Sequence, residues 1–246
     1  MQIIIAETYE AMSQQAADDL IEITAALGSP LISPASGDSP AGLYKEIVNR
    51  VNQNAIDISN WNFVALDEWV GMNGNDEGSC RFHLNNQLFV PLQVAENKIA
   101  FFDGRANNLQ LECERIENFI NQHQVIDIAI VGVGMNGHVG MNEPGTFPAV
   151  RSHVCQIDPI TAQVGQKYFK EKRELSEGIT LGLGNLLEAK NVFLLVSGSK
   201  KAEIVKRMLE EEISEQLPAT LLRHHPRLRI YLDKEAASLI DPHHGK

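Results

Sequence analysis

Short apolar runs alternate with longer amphipathic runs along most of the chain, and this alternation restricts the fold more than any other feature of the sequence. Short apolar runs bounded by polar or turn-forming residues predict buried β-strands, whereas apolar residues that repeat every three to four positions predict helices. The predicted strands cover residues 2–6, 30–34, 62–66, 98–102, 126–132, 191–197 and 228–232, and the predicted helices cover residues 11–27, 41–51, 109–120 and 201–213.

Strands and helices that follow one another in this way predict an α/β fold, in which helices cover both faces of a mostly parallel sheet. A chain of 246 residues can bury one core of this kind, so we expect a single α/β catalytic domain over residues 1–240 and a polar tail over 241–246. Parallel sheets bind ligands at the carboxyl ends of their strands. We therefore expect a ligand site at the loops 35–40, 67–71 and 132–145.

Charge and composition exclude several classes of partner. A formal net charge of -11 argues against nucleic acid, which is bound through a surplus of Lys and Arg. No apolar stretch approaches the roughly 18 residues of a membrane span, and no basic segment precedes the apolar N-terminal run, so we expect no membrane partner and a cytoplasmic location. The three cysteines lack C-x-x-C spacing and predict neither disulfides nor a zinc cluster. The sequence does not specify an oligomeric state.

The loop after the second predicted strand is a candidate phosphate site. Ser39 suits the N-cap of the next helix and Pro40 its first position, and the free N–H groups of such a helix start favour an anion. The hydroxyls of Ser36 and Ser39 add donors, whereas the carboxylate of Asp38 would repel a phosphate. A capped turn without a ligand explains these residues equally well.

Two carboxylates, Asp67 and Glu68, directly follow the third predicted strand. We expect both to emerge where a buried strand meets a pocket. A carboxylate held partly away from water gains basicity and can remove a proton from a carbon next to a carbonyl. The alternative is that Asp67 caps the following turn.

Residues 132–137 read Gly-Val-Gly-Met-Asn-Gly, which matches the G-x-G-x-x-G pattern of dinucleotide sites, and Asp158 lies at the distance that such a site requires. In a dinucleotide site the last glycine opens a helix that packs on the sheet. Here Pro144 and Pro148 follow within a few residues and interrupt any helix. The pattern therefore favours a tight loop over a nicotinamide site.

The same glycines allow a loop that gathers polar side chains into a small volume. Within it, His138 titrates near neutrality and can exchange a proton with a hydroxyl or a ring oxygen, and Glu143 can orient it. The alternative is that His138 is a structural residue whose hydrogen bonds are all made within its own loop. Asp67, His138 and Glu143 are also acceptable ligands for divalent ions, but their spacing resembles neither H-E-x-x-H nor a calcium loop, and we expect no metal.

A fourth loop contributes basic residues. Residues 197–201 read Ser-Gly-Ser-Lys-Lys and lie between a predicted strand and a predicted helix. They place two ammonium groups beside a helix N-terminus, where an anion is favoured. We expect one of the two lysines to reach a phosphate.

Three segments together closely resemble one known family. They read Leu-Asp-Glu-Trp-Val-Gly at 66–71, GVGMNGHVGMNEPG at 132–145, and Ser-Gly-Ser-Lys-Lys at 197–201. The chain resembles the glucosamine-6-phosphate deaminases and galactosamine-6-phosphate isomerases over almost its whole length, and the N-G-H and N-E-P-G segments are the most specific part of the match. The resemblance implies a Rossmann-like α/β fold and conversion of an amino-sugar 6-phosphate, a small molecule, into a ketose 6-phosphate and ammonia without a cofactor.

The resemblance also implies roles for individual residues. Asp67 corresponds to the carboxylate that moves a proton between C2 and C1 of the open-chain sugar. His138, assisted by Glu143 and Asn136, corresponds to the group that opens the pyranose ring. The implied substrate- and phosphate-binding positions are Ser36, Gly37, Asp38, Ser39, Lys167 and Lys201.

Three positions depart from the family pattern. Asn136 stands where many members carry Asp, Lys167 replaces the commoner Arg, and Asp38 replaces a glycine of the usual T-G-G-T-P loop. Replacing Arg exchanges a bidentate fork for a point charge. These departures motivate one alternative, a non-catalytic sugar-phosphate sensor.

A second alternative is 6-phosphogluconolactonase, which shares the fold and a similar glycine-histidine loop. Residues 142–144, Asn-Glu-Pro, argue against it, because lactonases continue toward a Leu-Phe-Pro-Gly segment. Within the deaminase family, Asp-Glu-Trp at 67–69, Gly-Ser-Cys at 78–80 and the segment 178–183 look more like the galactosamine-6-phosphate branch. The sequence therefore predicts galactosamine 6-phosphate as the preferred substrate.

Overall fold

The computed structural model describes residues 1–240, and the tail predicted at 241–246 lies outside the described residues. Over the described range the chain forms strands and α-helices that alternate along most of its length. The strands are β1 (Gln2–Ala6), β2 (Leu31–Ser33), β3 (Asn62–Val64), β4 (Asp67–Trp69), β5 (Ile99–Ala100), β6 (Ile128–Val131), β7 (His153–Gln156), β8 (Glu177–Thr180), β9 (Asn191–Val196) and β10 (Leu228–Asp233). The helices are α1 (Tyr9–Ala25), α2 (Asp38–Asn52), α3 (Cys80–Leu84), α4 (Leu109–Gln122), α5 (Pro159–Gly165), α6 (Leu183–Glu188) and α7 (Ala202–Glu210).

Seven strands form one parallel sheet in the order β1-β10-β9-β6-β2-β3-β5. Every residue of the central strands β6 and β9 is buried, which is why both read as continuous apolar runs rather than as alternating ones. The predicted α/β fold with a mostly parallel sheet is confirmed, and all seven predicted strands are present with their ends shifted by up to two residues.

Helices cover both faces of this sheet, as the sequence predicted. On one face, α1 and α2 bury apolar residues such as Leu20 and Leu43 against the sheet. On the other face, α4 and α7 do the same through residues such as Ile116 and Val205. The apolar residues recur every three to four positions in each helix, so the stripe that each one buries follows directly from its sequence.

A second, three-stranded antiparallel sheet, in the order β4-β8-β7, was not predicted. Its strands are short, and β7 is only partly buried, so they carry little periodic signal. The sheet is fixed to the main one because Leu181 N–H donates to Leu66 C=O at 2.8 Å, directly beyond β3. It therefore turns the chain after Leu66 and determines where Asp67 lies.

Four neighbouring strands of the parallel sheet, β9, β6, β2 and β3, run in the same direction. The loops that follow them are therefore presented along one edge. These are the four loops whose composition pointed to a site. No helix within residues 1–240 combines the length and the apolarity needed to cross a membrane.

Candidate active site

The four loops line one cavity, together with α5 and the 3₁₀ turn that follows it. The predicted site residues that line this cavity are Ser36, Gly37, Asp38, Ser39, Asp67, His138, Lys167 and Lys201. Asn136 and Glu143 are not part of the lining and lie behind His138 instead, as their hydrogen bonds show. The geometry thus separates residues that can touch a ligand from residues that act through a neighbour.

Asp67 is the first residue of β4 and is paired with Thr180 of β8. It is therefore part of a strand and does not cap a turn, which removes the simpler interpretation of its position. Burial raises the pKa of the Asp67 carboxyl to about 6, and a hydrogen bond from the Cys80 side chain opposes that rise. Asp67 is ionised at neutral pH and is a stronger base than a solvated aspartate.

The expectation that Glu68 also reaches the pocket is wrong. Its side chain is fully buried and does not line the cavity, because β4 alternates its side chains and points adjacent residues to opposite faces. Its carboxylate accepts hydrogen bonds from the backbone N–H groups of Trp69 at 2.8 Å, Cys80 at 3.0 Å and Arg81 at 3.0 Å. Glu68 therefore fastens the start of α3 to β4, which places Cys80 beside Asp67.

The glycine-rich loop after β6 holds the ring of His138. Gly134 N–H donates to His138 C=O at 2.9 Å, which closes a tight turn. A Cβ on Gly134 would lie only 2.1–2.5 Å from atoms of the His138 ring, so a side chain there would displace the ring. No α-helix follows this loop until α5, and Asp158 caps α5 by accepting from Ile160 N–H at 2.8 Å. The loop geometry agrees with the preference for a tight loop over a dinucleotide site.

Asn136 links His138 to Glu143. Asn136 Nδ2 donates to Glu143 Oε2 at 2.8 Å, and Asn136 Oδ1 lies 2.7 Å from His138 Nδ1. A carboxylate only accepts hydrogen bonds, so the amide nitrogen must face Glu143 and the amide oxygen must face the ring. An amide oxygen also only accepts, so the proton is on Nδ1 and the lone pair of Nε2 is free.

Glu143 thus acts on His138 mainly through Asn136, and its direct distance to Nδ1 is 3.5 Å. Burial, with a smaller contribution from the nearby Lys201 ammonium, lowers the pKa of His138 to about 4. The imidazole is neutral at physiological pH. A neutral imidazole with Nδ1 engaged and Nε2 free can accept a proton from a hydroxyl and return it to another oxygen.

Sequence reasoning missed Thr161, which lies on α5 and belongs to the same cluster. Its Oγ1 is 2.9 Å from His138 Nδ1 and 3.3 Å from Asn136 Nδ2. The Asp-Pro pair that opens α5 signals the start of a helix. Nothing in the sequence indicates that this helix packs against a loop 23 residues earlier in the chain. The sequence likewise did not indicate that the Cys80 side chain lies beside Asp67.

The predicted phosphate end of the cavity differs in one detail from expectation. Helix α2 begins at Asp38, with Gly37 at the N-cap, so the assignment of Ser39 as N-cap and Pro40 as first helical residue is wrong. Gly37 has φ of +118°, a conformation that residues with side chains disfavour, so glycine suits this N-cap position. The helix therefore starts two residues earlier than it would if Ser39 were the N-cap. Ser39 lies inside the first turn, with its hydroxyl 3.3 Å from that of Ser197.

Both predicted lysines reach the cavity. Lys201 Nζ donates to Val133 C=O at 2.7 Å, and burial together with Lys167 lowers the pKa of Lys201 to about 8. Lys167 Nζ lies 2.6 Å from Asp38 Oδ2. Lys200 does not line the cavity, so of the two adjacent lysines only Lys201 is placed to meet a ligand. Within residues 1–240, no three His, Cys, Asp or Glu side chains are grouped closely enough to hold a metal ion.

Comparison with known proteins gives a consistent result. A family model described as glucosamine-6-phosphate isomerases/6-phosphogluconolactonase matches residues 6–230. A protein named glucosamine-6-phosphate deaminase from Oceanobacillus iheyensis is 34% identical over 99% of this chain and 98% of its own length. Another protein of that name, from Bacillus cytotoxicus, is 35% identical over 97% of this chain and 89% of its own length.

Solved structures show the same relationship. A monomeric glucosamine-6-phosphate deaminase superposes with a TM-score of 0.94 at 32% identity, covering 98% of this chain and all of that one. The 6-phosphogluconolactonase of Trypanosoma brucei superposes with a TM-score of 0.77 at 18% identity, covering 98% of both chains. At that identity the lactonase shares the fold alone.

Proposed function

The chain belongs to the family of glucosamine-6-phosphate isomerases and 6-phosphogluconolactonases, and we propose that it isomerises and deaminates an amino-sugar 6-phosphate, releasing a ketose 6-phosphate and ammonia. One observation carries the proposal. The same cavity holds Asp67, a carboxylate of raised pKa, and His138, a neutral imidazole with Nδ1 engaged. An aldose-ketose isomerisation needs these two groups, and neither requires a metal.

Ring opening is the proposed task of His138. The free Nε2 accepts the proton of the sugar O1 hydroxyl while the C1–O5 bond breaks, and the imidazolium returns that proton to O5. Asn136 and Glu143 support the charged ring in this step, because the Nδ1 proton is held by an amide whose other end donates to a carboxylate. The product of the step is the open-chain aldehyde.

Proton transfer between carbons is the proposed task of Asp67. The carboxylate removes the proton from C2, and the electron pair moves onto the C1 carbonyl oxygen, which takes a proton from the ammonium group of the substrate to give an enolamine. Protonated Asp67 then returns the proton to C1, which leaves an imine at C2. Water adds to that imine and ammonia departs, giving the ketose. A base with a pKa of about 6 can both take and return this proton near neutral pH.

The 6-phosphate is proposed to bind at the start of α2. Free N–H groups of that helix and the ammonium groups of Lys167 and Lys201 supply positive potential there. Ser36 and Ser39 add hydroxyl donors from the same loop. A phosphate held at this end determines which carbons of the sugar reach Asp67. Such positioning of the substrate contributes to catalysis through proximity and orientation.

The proposal also specifies which amino-sugar phosphate is the substrate. The relatives carry the name glucosamine-6-phosphate deaminase, and we propose glucosamine 6-phosphate as a substrate on that basis. The galactosamine preference stays a prediction. Of the segments that favoured it, Trp69, Gly78 and Cys80 line the cavity. The segment 178–183 does not, because it runs from β8 of the three-stranded sheet into the start of α6. The two sugars differ at one hydroxyl, so their separate rates are the informative measurement.

The test is an assay of purified protein with glucosamine 6-phosphate, galactosamine 6-phosphate and 6-phosphogluconolactone, measuring ammonia, ketose phosphate and acid. We expect ammonia and ketose phosphate in equal amounts from at least one amino sugar. The ratio of kcat/KM for the two sugars then identifies the preferred one. Acid release from the lactone without ammonia would identify a lactonase, and binding of all three without turnover would identify a sensor.

The pH profile of kcat/KM is expected to rise through about 6 and to fall above about 8. Below its pKa of about 6, Asp67 is protonated and cannot take the C2 proton. Above its pKa of about 8, Lys201 loses the charge that attracts the phosphate. His138, with a pKa of about 4, stays neutral throughout and sets neither limb.

The substrate phosphate also ionises near pH 6, roughly where Asp67 does. Initial rates at saturating substrate separate the two, because kcat reports only groups in the bound complex. An acidic limb near pH 4 in the kcat profile would contradict the assignment of Asp67 as the base.

A further inference from the structure

The first turn of α2 carries a carboxylate where the proposed phosphate would bind. Asp38 lines the same cavity as Lys167 and Lys201. Its Oδ2 lies 2.6 Å from Lys167 Nζ, within charge-assisted hydrogen-bonding distance. The proposed phosphate site therefore already contains a carboxylate, which pairs with a cation that a bound phosphate would need.

Neighbouring groups hold both partners of this pair in place. The backbone carbonyl of Asp38 accepts from the Tyr9 hydroxyl at 2.7 Å, and that hydroxyl oxygen accepts from Gly42 N–H at 2.6 Å. The Lys167 ammonium lies 4.7 Å from the centroid of the Tyr168 ring, which adds a cation–π contact. Because the anchors of Asp38 act on its backbone, replacing its carboxylate by an amide leaves them intact.

The Asp38 carboxylate affects the pKa values of both lysines in the cavity. Burial lowers the pKa of the Lys167 ammonium, but the hydrogen bond and charge attraction with Asp38, together with the interactions with Tyr168, outweigh burial, so the pKa lies above its ordinary value. Lys201 interacts with the same carboxylate, which opposes the lowering of its pKa by burial and by Lys167. The carboxylate thus cancels part of the positive potential that the two lysines produce.

We propose that Asp38 tunes phosphate affinity by competing with the phosphate group of the substrate for the Lys167 ammonium. A bound phosphate must either displace the carboxylate from Lys167 or share the lysine with it at the cost of repulsion. Asp38 therefore weakens phosphate binding and speeds the release of phosphorylated product. The proposal rests on the proposed function for the identity of the sugar, but its central claim concerns only an anion.

Inorganic phosphate is the probe, and its dissociation constant is measured by isothermal titration calorimetry. Asp38→Asn is expected to bind phosphate about threefold to tenfold more tightly than the wild type, a range set by the modest strength of exposed ion pairs plus the relief of repulsion. Glu203→Gln is the matched control. It removes one negative charge from the exposed first turn of α7, outside the cavity, and is expected to leave the phosphate constant unchanged.

A double-mutant cycle with Lys167→Met tests whether Asp38 acts through the lysine. In the Lys167→Met background, Asp38→Asn should produce a clearly smaller gain than in the wild type. The proposal is overturned if Asp38→Asn does not tighten phosphate binding, if the gain persists undiminished without Lys167, or if no variant binds phosphate. These binding results stand whether or not ammonia is formed, so the proposed reaction and this proposal can fail separately.

Turnover gives a second readout where activity is present. Asp38→Asn is expected to lower KM for the amino-sugar phosphate severalfold, in line with its phosphate constant, because the phosphate is remote from the bonds that change. Loss of a first-turn carboxylate also removes a favourable interaction with the α2 dipole, so a small drop in melting temperature is expected. A purely structural role would produce that drop without any change in phosphate affinity or KM.

Discussion

Asp67→Asn is expected to lower kcat by at least about a hundredfold and to leave phosphate binding unchanged. The amide has nearly the shape of the carboxylate but cannot take a proton from C2, and general-base catalysis typically contributes about 10²–10⁴ in rate. Asp67 is partly buried at the start of β4 and is not a hydrogen-bond partner of Lys167 or Lys201, the lysines that would hold the phosphate, so binding should survive the change.

Proton exchange at C2 isolates the step that Asp67 performs. In D₂O the wild type should incorporate deuterium into recovered substrate or product, and Asp67→Asn should do so at a rate reduced in parallel with kcat. Asp57→Asn, an exposed aspartate outside the cavity, is the matched control and should behave as the wild type. Turnover of Asp67→Asn at the wild-type rate would refute the central assignment.

Glu68→Leu is expected to destabilise the protein by at least about 3 kcal/mol. Three backbone N–H groups donate to the Glu68 carboxylate, and each buried donor left without an acceptor costs about 1–3 kcal/mol. Burial raises the pKa of Glu68 to about 7 although these three hydrogen bonds lower it. The three backbone N–H donors therefore stabilise the buried Glu68 carboxylate and offset part of the cost of removing its charge from water.

Glu68→Gln is the graded control for this prediction. Its amide oxygen can still accept from Trp69 and Cys80, so only the hydrogen bond from Arg81 is lost. Urea unfolding should rank the three proteins with the wild type most stable and the leucine variant least stable, at similar m-values. Equal midpoints for the wild type and the leucine variant would show that Glu68 does not fasten α3 to β4.

The two adjacent carboxylates show where sequence reasoning about this site succeeds and where it stops. The apolar run before Asp67 places both residues at the end of a strand, and parallel strands present their ends at one edge. Which of the two faces the cavity depends on the pairing of β4 with β8, which is formed by residues more than 100 positions away. A shift of one residue in that pairing would exchange the roles of Asp67 and Glu68.

The loop at residues 132–145 gives a similar contrast. Its glycines and prolines predict a tight loop that carries polar side chains instead of a nucleotide-binding helix, because these residues restrict the backbone locally. The sequence predicted that Glu143 orients His138 but did not show through which contact. The structure places Asn136 between them, since the fold of the loop brings the amide within 2.8 Å of one and 2.7 Å of the other.

By itself the sequence determined the alternation of strands and helices, the parallel sheet with two covered faces, and the four loops that line the cavity. These properties follow from periodicity and from backbone preferences of single residues, which act over a few positions. Only the tertiary structure decided that Thr161 and Cys80 join the site, that Glu68 leaves it, and that Asp38 pairs with Lys167 across 129 positions. Those outcomes depend on contacts between distant segments, and no local pattern encodes such contacts.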